Sequence, residues 1–143
     1  MQHEVAHNQE LAQVFVEDPL DLSLEVFYSD QDCEEANAIR AESKENKKGI
    51  VAIAPGAGRE RRMWPIERFA EVANNLADDG WAIAILGSPA ERYLLKSFMD
   101  DFNGEFIDLV GRTSISTLSA FLQKFTTIFI GNDSGLLHLA AAS

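Results

Sequence analysis

The feature that most constrains the fold of this sequence is an apolar run followed by a helix-like segment, a unit that occurs four times. The apolar runs lie at 49–56, 81–87, 105–111 and 126–132. Continuous runs of this length are typical of strands buried on both faces. Between them, spaced apolar positions such as Ile66, Phe69 and Ala73 predict amphipathic helices. Four such units predict an α/β fold in which a parallel sheet carries helices on both faces.

The first 48 residues differ in character from the rest. They hold twelve acidic and four basic residues, and we interpret 1–48 as an interdomain connection and linker that contains an exposed helix. Residues 49–143 then form the predicted domain, a Rossmann-like sheet of the kind that binds nucleotides. Because Ser143 falls in a helix that has barely begun, we expect this domain to be truncated at its C-terminus, with a further strand to follow.

Charge and cysteine content exclude several classes of function. A net charge of −11 argues against nucleic-acid binding, which needs a basic face. The single cysteine, Cys33, forms no internal disulfide, and no Cys/His spacing predicts a metal site. With neither a signal peptide nor a transmembrane run, the sequence predicts a cytoplasmic protein. Four arginines nonetheless cluster at positions 59, 61, 62 and 68, which indicates a small anionic ligand.

The loops that follow the strands are the expected ligand sites, because ligands bind beyond the carboxyl ends of parallel strands. The first, residues 55–64 (here called the arginine loop), contains Gly56 and Gly58. The third glycine of a dinucleotide-binding G-x-G-x-x-G would fall at Arg61, and no P-loop pattern is present. The arginine loop therefore either attracts phosphate at a helix N-terminus or is a solvated surface cluster.

The loop after the fourth run, GNDSGLLH at 131–138, combines several features of a phosphate site. Asp133 and Ser134 are suited to capping a helix, Gly135 allows a ligand to approach the backbone, and His138 lies one helical turn further on. Simple capping with a partly buried histidine explains each residue alone. The combination at the end of a strand favours a site for a diphosphate.

Glu91, in the loop after the second run, has two interpretations. It stabilises a helix N-terminus through the helix dipole, or it accepts hydrogen bonds from ribose hydroxyls. The sequence contains no recognisable triad or Cys/His nucleophile, so it assigns a catalytic role to none of these residues.

Together these strings resemble glycosyltransferase family 9, the ADP-heptose:lipopolysaccharide heptosyltransferases. The similar pieces, in unbroken order, are PGA…RMWP (55–65), FAEVANNL, ILGSPAE (85–91), DLVGRTSISTLSAFL (108–122) and GNDSGLLHLAAA (131–142). The resemblance covers roughly 49–143 and implies the C-terminal, donor-binding domain of a two-domain GT-B fold.

The resemblance also implies a donor-binding site. The family's basic residue two positions before Trp-Pro contacts the diphosphate and matches Arg62, where Lys is usual; arginine keeps the charge but is bulkier and bidentate. The acid that contacts the nucleoside matches Glu91. The Asp-Ser/Thr-Gly turn and its following histidine, which hold the diphosphate and sugar, match Asp133, Ser134, Gly135 and His138.

The implied function is binding of a nucleotide-diphospho-sugar donor of the ADP-heptose type, for inverting transfer to a lipopolysaccharide inner-core acceptor. The resemblance places the general base and the lipid-linked saccharide acceptor in an N-terminal domain outside these residues, and calls for neither metal nor cofactor. It places the protein in the cytoplasm, with a peripheral position at the inner membrane face as one option. We expect these residues alone to bind donor nucleotide weakly and to transfer no sugar.

Two alternatives remain at the level of sequence. One is another GT-B enzyme that acts on a different nucleotide-sugar. The other is a non-catalytic, truncated nucleotide-binding module with the same fold.

Overall fold

A computed structural model of the chain describes residues 25–43, 47–59, 61 and 63–143. Its elements alternate as the sequence predicts, with a 3₁₀ turn at Pro89–Glu91 just before the third helix. The helices are α1 (Asp30–Arg40), α2 (Ile66–Asp78), α3 (Arg92–Asp101), α4 (Ile115–Phe125) and α5 (Gly135–Ala142). The strands are β1 (Ile50–Ala54), β2 (Ala82–Ile85), β3 (Phe106–Asp108) and β4 (Thr126–Gly131).

The four strands form one parallel sheet in the order β3-β2-β1-β4. β1 lies in the interior of the sheet, and all five of its residues are buried. It pairs with β2 through Ile50 and Ala82, and with β4 on its other side, where the register shifts between Ile50 and Val51. The parallel sheet predicted from the apolar runs is confirmed.

Helices cover both faces of the sheet, as predicted. On one face α2 and α3 bury a core that includes Phe69 and Phe98. On the other face α4 buries Phe121, and α1 contributes Ala36 to the same core. Since β1 supplies residues to both cores, its continuous apolar run follows directly from its position.

The strands end earlier than the apolar runs that predicted them. Leu86 follows β2, and Leu109 and Val110 follow β3; all three are buried outside the strands. Their hydrophobicity reflects packing at the edge of the core, because an apolar run records burial and does not distinguish a strand from a buried loop.

The predicted helix in the acidic first segment is α1, and it docks on α4 through the carboxylate of Asp32. Asp32 Oδ2 accepts hydrogen bonds from the backbone N–H (2.8 Å) and the hydroxyl (2.6 Å) of Ser29, which caps α1. Its Oδ1 accepts from the hydroxyls of Ser116 (2.8 Å) and Thr117 (3.0 Å). One face of α1 is therefore held against the domain. The division of the chain at residue 48 stays a prediction.

Replacing Asp32 with asparagine is expected to lower the melting temperature at neutral pH. Hydrogen bonds from Ser29, with smaller contributions from Ser116 and Thr117, hold the pKa of Asp32 well below its ordinary value of 3.8. A carboxyl whose pKa is lowered by folding stabilises the folded state above its unfolded pKa and loses that effect as pH falls. The difference in melting temperature should therefore persist from pH 7 to about 4 and shrink below it.

The matched control for this variant is Asp30→Asn, in the same first turn of α1, whose carboxylate makes none of these hydrogen bonds to Ser29 or α4. Melting curves of both variants between pH 3 and 7 check the prediction. Equal melting temperatures for the two variants at pH 7 would contradict it.

Among the described residues, none of the helices has the length and apolar character needed to cross a bilayer.

Candidate functional site

A cleft of about 570 Å³ lies at the C-terminal ends of the strands, where the loops after all four strands meet. We call this side of the sheet its carboxyl edge. Its lining residues are Gly56, Ala57, Gly58, Gly87, Ser88, Pro89, Glu91, Gly111, Thr113, Ser114, Ile115, Leu118, Ser134, Gly135, Leu136 and Leu139. A smaller hollow of about 290 Å³ lies at the opposite edge, beside Trp81 and Phe106. The smaller hollow contains none of the residues that the sequence singled out, so the carboxyl-edge cleft is the candidate site.

Two glycines keep the backbone of the cleft close to its neighbours. A Cβ atom at Gly56 would lie 1.7 Å from Oε1 of Glu91, so the carboxylate occupies the space that a side chain would need. Gly111 has a φ of +67°, and a Cβ there would lie 2.9 Å from Cα of Pro89. A side chain at Gly56 would therefore displace the Glu91 carboxylate, whereas Gly111 requires glycine for both its contact and its conformation.

Glu91 ends the 3₁₀ turn after β2 and lines the cleft. Its Oε2 accepts hydrogen bonds from the backbone N–H and the hydroxyl of Ser88, each at 2.7 Å. These two bonds hold the carboxylate in one orientation. Both sequence interpretations of Glu91 are compatible with this position, since one oxygen caps the turn and the other faces the Gly56 side of the cleft.

Two helices begin at the cleft wall. Ser114 caps α4 and accepts from the N–H of Thr117 at 3.0 Å. Ser134 is the corresponding residue of α5, but its side chain makes no capping bond. Its hydroxyl oxygen is buried and has no hydrogen-bond partner among the described residues. Unpaired buried hydroxyls are uncommon in folded proteins, and the residue that carries this one lines the cleft.

The structure brings some of the predicted site residues together and separates others. Glu91, Ser134 and Gly135 line the same cleft. Asp133 and His138 are exposed and do not line it; Leu136 and Leu139 are the α5 side chains that do. A helical turn does separate Gly135 from His138, but the rotation of α5 about its axis presents the leucines to the cleft.

The predicted phosphate contact Arg62 lies outside the described residues. Arg59 and Arg61 are described and exposed, and neither lines the cleft. Arg68 is on α2 and forms an exposed ion pair with Glu71 at 2.8 Å. Of the four clustered arginines, Arg68 is therefore a surface residue of α2, and the role of Arg62 stays a prediction.

Asn132 is a structural residue of the site that sequence reasoning did not single out. It follows β4 directly, is 8% exposed, and hydrogen-bonds through its side chain to Pro55 and Trp64, the two ends of the arginine loop. The one available signal is a polar amide immediately after a strand. Its partners lie 77 and 68 residues away, so no local pattern reveals them.

The cleft is suited to a ligand with one anionic and one apolar part. Helix N-termini present backbone N–H groups and a partial positive charge, which favour phosphate oxygens. Pro89, Ile115 and Leu118 add apolar surface against which a flat ring can pack. Within the described part of the chain, no group of three or more His, Cys, Asp and Glu side chains is placed to hold a metal ion.

Comparison with known proteins gives a consistent result at the level of the family. A family model described as glycosyltransferase family 9 (heptosyltransferase) matches residues 1–143. The lipooligosaccharide heptosyltransferase 2 of Haemophilus influenzae is 30% identical over 99 residues, which are 65% of this chain and 28% of that protein. The chain thus spans less than a third of the length of this relative.

Two solved structures have the same fold. The glycosyl transferase family 9 protein from Veillonella parvula DSM 2008 superposes with a TM-score of 0.83 at 21% identity, covering 92% of this chain and 38% of that one. The E. coli heptosyltransferase WaaC, solved with ADP, superposes with a TM-score of 0.64 at 23% identity, covering 99% and 42%. The predicted α/β fold, that of the GT-B glycosyltransferases of family 9, is confirmed by these superpositions. The position of these residues as the C-terminal domain of that fold stays a prediction.

Proposed function

The chain belongs to glycosyltransferase family 9, and from this premise we propose that its carboxyl-edge cleft binds the nucleotide-diphospho-sugar donor of a heptosyltransferase. Membership confirms the family resemblance seen in the sequence and the expectation that the chain is part of a glycosyltransferase. The donor, the acceptor and the stereochemistry are parts of the proposal.

The observation that carries the proposal is the buried, unpaired hydroxyl of Ser134 at the start of α5. Its burial without a partner is unfavourable in the free protein, and a diphosphate oxygen at the helix N-terminus would supply the missing hydrogen bond. The cleft around Ser134 has room for a nucleotide, and the neighbouring structure of WaaC is described with ADP. These features support a donor of the ADP-heptose type.

Within the proposed reaction this chain holds and stabilises the leaving group. An acceptor hydroxyl gives its proton to a general base outside these residues and attacks the anomeric carbon, the bond to the diphosphate breaks, and the configuration inverts. The departing diphosphate gains negative charge, which the N-termini of α4 and α5 stabilise. The proposed acceptor is a lipopolysaccharide inner-core saccharide, reached by a protein working at the inner face of the membrane. We assign no catalytic base among these residues.

A calorimetric titration of the 143-residue chain with ADP-heptose, ADP and a UDP-sugar tests the proposed donor. We expect the two adenosine ligands to bind and the uridine ligand to bind more weakly. Preference for the uridine ligand would instead support another GT-B activity. Binding of none of the three would support a module without donor-binding function.

Replacing Ser134 with alanine should weaken ADP binding without lowering the stability of the chain. Because the hydroxyl has no partner in the free protein, its removal should leave the free energy of unfolding unchanged or slightly higher. The affinity for ADP should fall roughly tenfold to a hundredfold, as for loss of a hydrogen bond to a charged group. Urea denaturation and calorimetry measure the two quantities.

Thr126→Val is the matched control for Ser134→Ala. Thr126 carries the other buried hydroxyl that lacks a partner among the described residues, but it begins β4, at the end of the strand away from the cleft. Thr126→Val should change the free energy of unfolding in the same direction as Ser134→Ala, without changing the affinity for ADP. Equal ADP affinity for wild type and Ser134→Ala would overturn the assignment of Ser134. Asp133→Ala and His138→Ala, read in the same assay, test the two predicted residues that lie outside the cleft lining.

A further inference from the structure

We infer that Asn132 is a positioning residue that ties Pro55 and Trp64, the two ends of the arginine loop, to the turn at 133–135, and so sets the diphosphate part of the donor site. The inference rests on the proposed function, because it assigns a role within that site. It concerns a side chain that contacts protein backbone and touches no ligand itself.

The side chain of Asn132 bonds to both ends of the arginine loop. Its amide Nδ2 donates to the carbonyl oxygen of Pro55 at 2.7 Å, and its Oδ1 accepts from the backbone N–H of Trp64 at 3.0 Å. Pro55 follows β1, and Trp64 precedes the start of α2 by two residues. One buried amide therefore closes the loop at its base.

This arrangement requires an amide in particular. Pro55 offers only an acceptor at this point and Trp64 only a donor, so the residue between them must donate and accept at once. An ionised aspartate has the same shape but cannot donate, and would place a carboxylate oxygen against the carbonyl of Pro55. At 8% exposure, water does not readily replace a lost bond.

The same residue joins the two walls of the cleft. Gly56 and Gly58, which line one wall, follow Pro55 in the chain; Ser134 and Gly135, on the other wall, follow Asn132 itself. Loss of the amide bonds therefore removes the side-chain ties between the glycine-bearing wall and the start of α5, and leaves the backbone pairing of β1 with β4 in place. Glu91, by contrast, is held by Ser88 in the loop after β2 and does not depend on Asn132.

This separation predicts a selective effect on ligand binding. In the Asn132→Asp variant of the 143-residue chain, the affinity for ADP should fall at least about tenfold, as expected for a misplaced charged hydrogen-bonding site. Adenosine lacks the diphosphate, and Glu91 shares no hydrogen bond with Asn132. The affinity for adenosine should therefore stay within about twofold of wild type. A general loss of structure would lower both affinities by the same factor.

A second readout needs no ligand. Arg59 and Arg61 are exposed on the loop that Asn132 closes. Trypsin should cleave after these arginines faster in Asn132→Asp than in wild type, at a temperature well below the unfolding transition of both. If Asn132→Asp does not fold, Asn132→Ser takes its place, since its hydroxyl is too short to reach both partners.

Asn74→Asp is the matched control. Asn74 also bridges two backbone groups, donating to the carbonyl of Asp101 at 2.9 Å and accepting from the N–H of Asn103 at 3.1 Å, but it joins α2 to the end of α3. It should change stability without changing the ratio of ADP to adenosine affinity or the cleavage of the arginine loop.

The outcomes separate the inference from the proposed function. If wild type binds ADP and Asn132→Asp binds it equally well, or loses ADP and adenosine alike, the role of Asn132 is overturned and the donor site stands. If wild type binds neither ligand, the proposed function fails, and the ligand role of Asn132 fails with it. Unchanged cleavage by trypsin would overturn the claim that Asn132 closes the loop.

Discussion

Replacing Phe98 with alanine is expected to lower the free energy of unfolding by about 3–5 kcal/mol, because truncating a buried phenylalanine loses its transfer energy and leaves a cavity. Phe98 lies on α3 and is fully buried. Its ring centroid lies 5.0 Å from that of Phe102 and 6.1 Å from that of Phe106, so the cavity would be lined by rings that cannot easily collapse into it. A domain of ordinary stability would be left close to unfolding.

Urea denaturation of the 143-residue chain measures this loss. Met99, the next residue on α3, is 55% exposed and provides the control. Met99→Ala should change the free energy of unfolding by no more than about 0.5 kcal/mol. A loss below about 1 kcal/mol for Phe98→Ala would contradict the close packing described for this face of the sheet.

Replacing Gly56 with alanine is expected to weaken ADP binding at least about tenfold while leaving the chain folded. The new methyl group would lie 1.7 Å from Oε1 of Glu91, so the carboxylate must move from its place in the cleft. A side-chain end can move where backbone cannot, which limits the cost in stability. Calorimetric titration with ADP, alongside a melting curve, separates the two effects.

Gly58→Ala is the control for Gly56→Ala, because a Cβ at Gly58 meets no atom within 4 Å. Its melting temperature should match that of wild type. A double-mutant cycle with Glu91→Ala identifies the cause, since Gly56→Ala should cost little further stability once the carboxylate is gone. If Gly56→Ala lowers the free energy of unfolding by the same amount in the presence and absence of the Glu91 side chain, the steric explanation is wrong.

Much of the fold could be predicted from the sequence because each element carries its own signal. The run at Ile50–Ala54 is apolar throughout because β1 is covered on both faces, whereas the spacing of Phe69 and Ala73 reflects a helix with one buried side. The ends of the strands could not be predicted as well. Leu109 and Val110 are as buried in their loop as the residues of a strand.

The candidate site was predictable only in part, because it depends on relations that local sequence does not record. The rule that ligands bind at the carboxyl ends of strands placed Glu91, Ser134 and Gly135 at the cleft. The packing of α5 against the core decides which of its side chains face the cleft. Leu136 and Leu139 line the cleft, where the helical spacing from Gly135 predicted His138. The bonds of Asn132 join residues far apart in the chain, so only the three-dimensional structure reveals them.

The order of the strands in the sheet has a consequence for how the protein folds. β1, β2 and β3 are consecutive in the chain and adjacent in the sheet, whereas β4 must return past both of the others to pair with β1. Closing the longer loop costs more entropy, so we expect the β1–β2–β3 part to form early and β4 to dock late. The turn that carries Ser134 directly follows β4. The cleft is thus expected to be among the last parts of the chain to assemble, and a folding intermediate without β4 would have a core on both faces of the sheet and no ligand site.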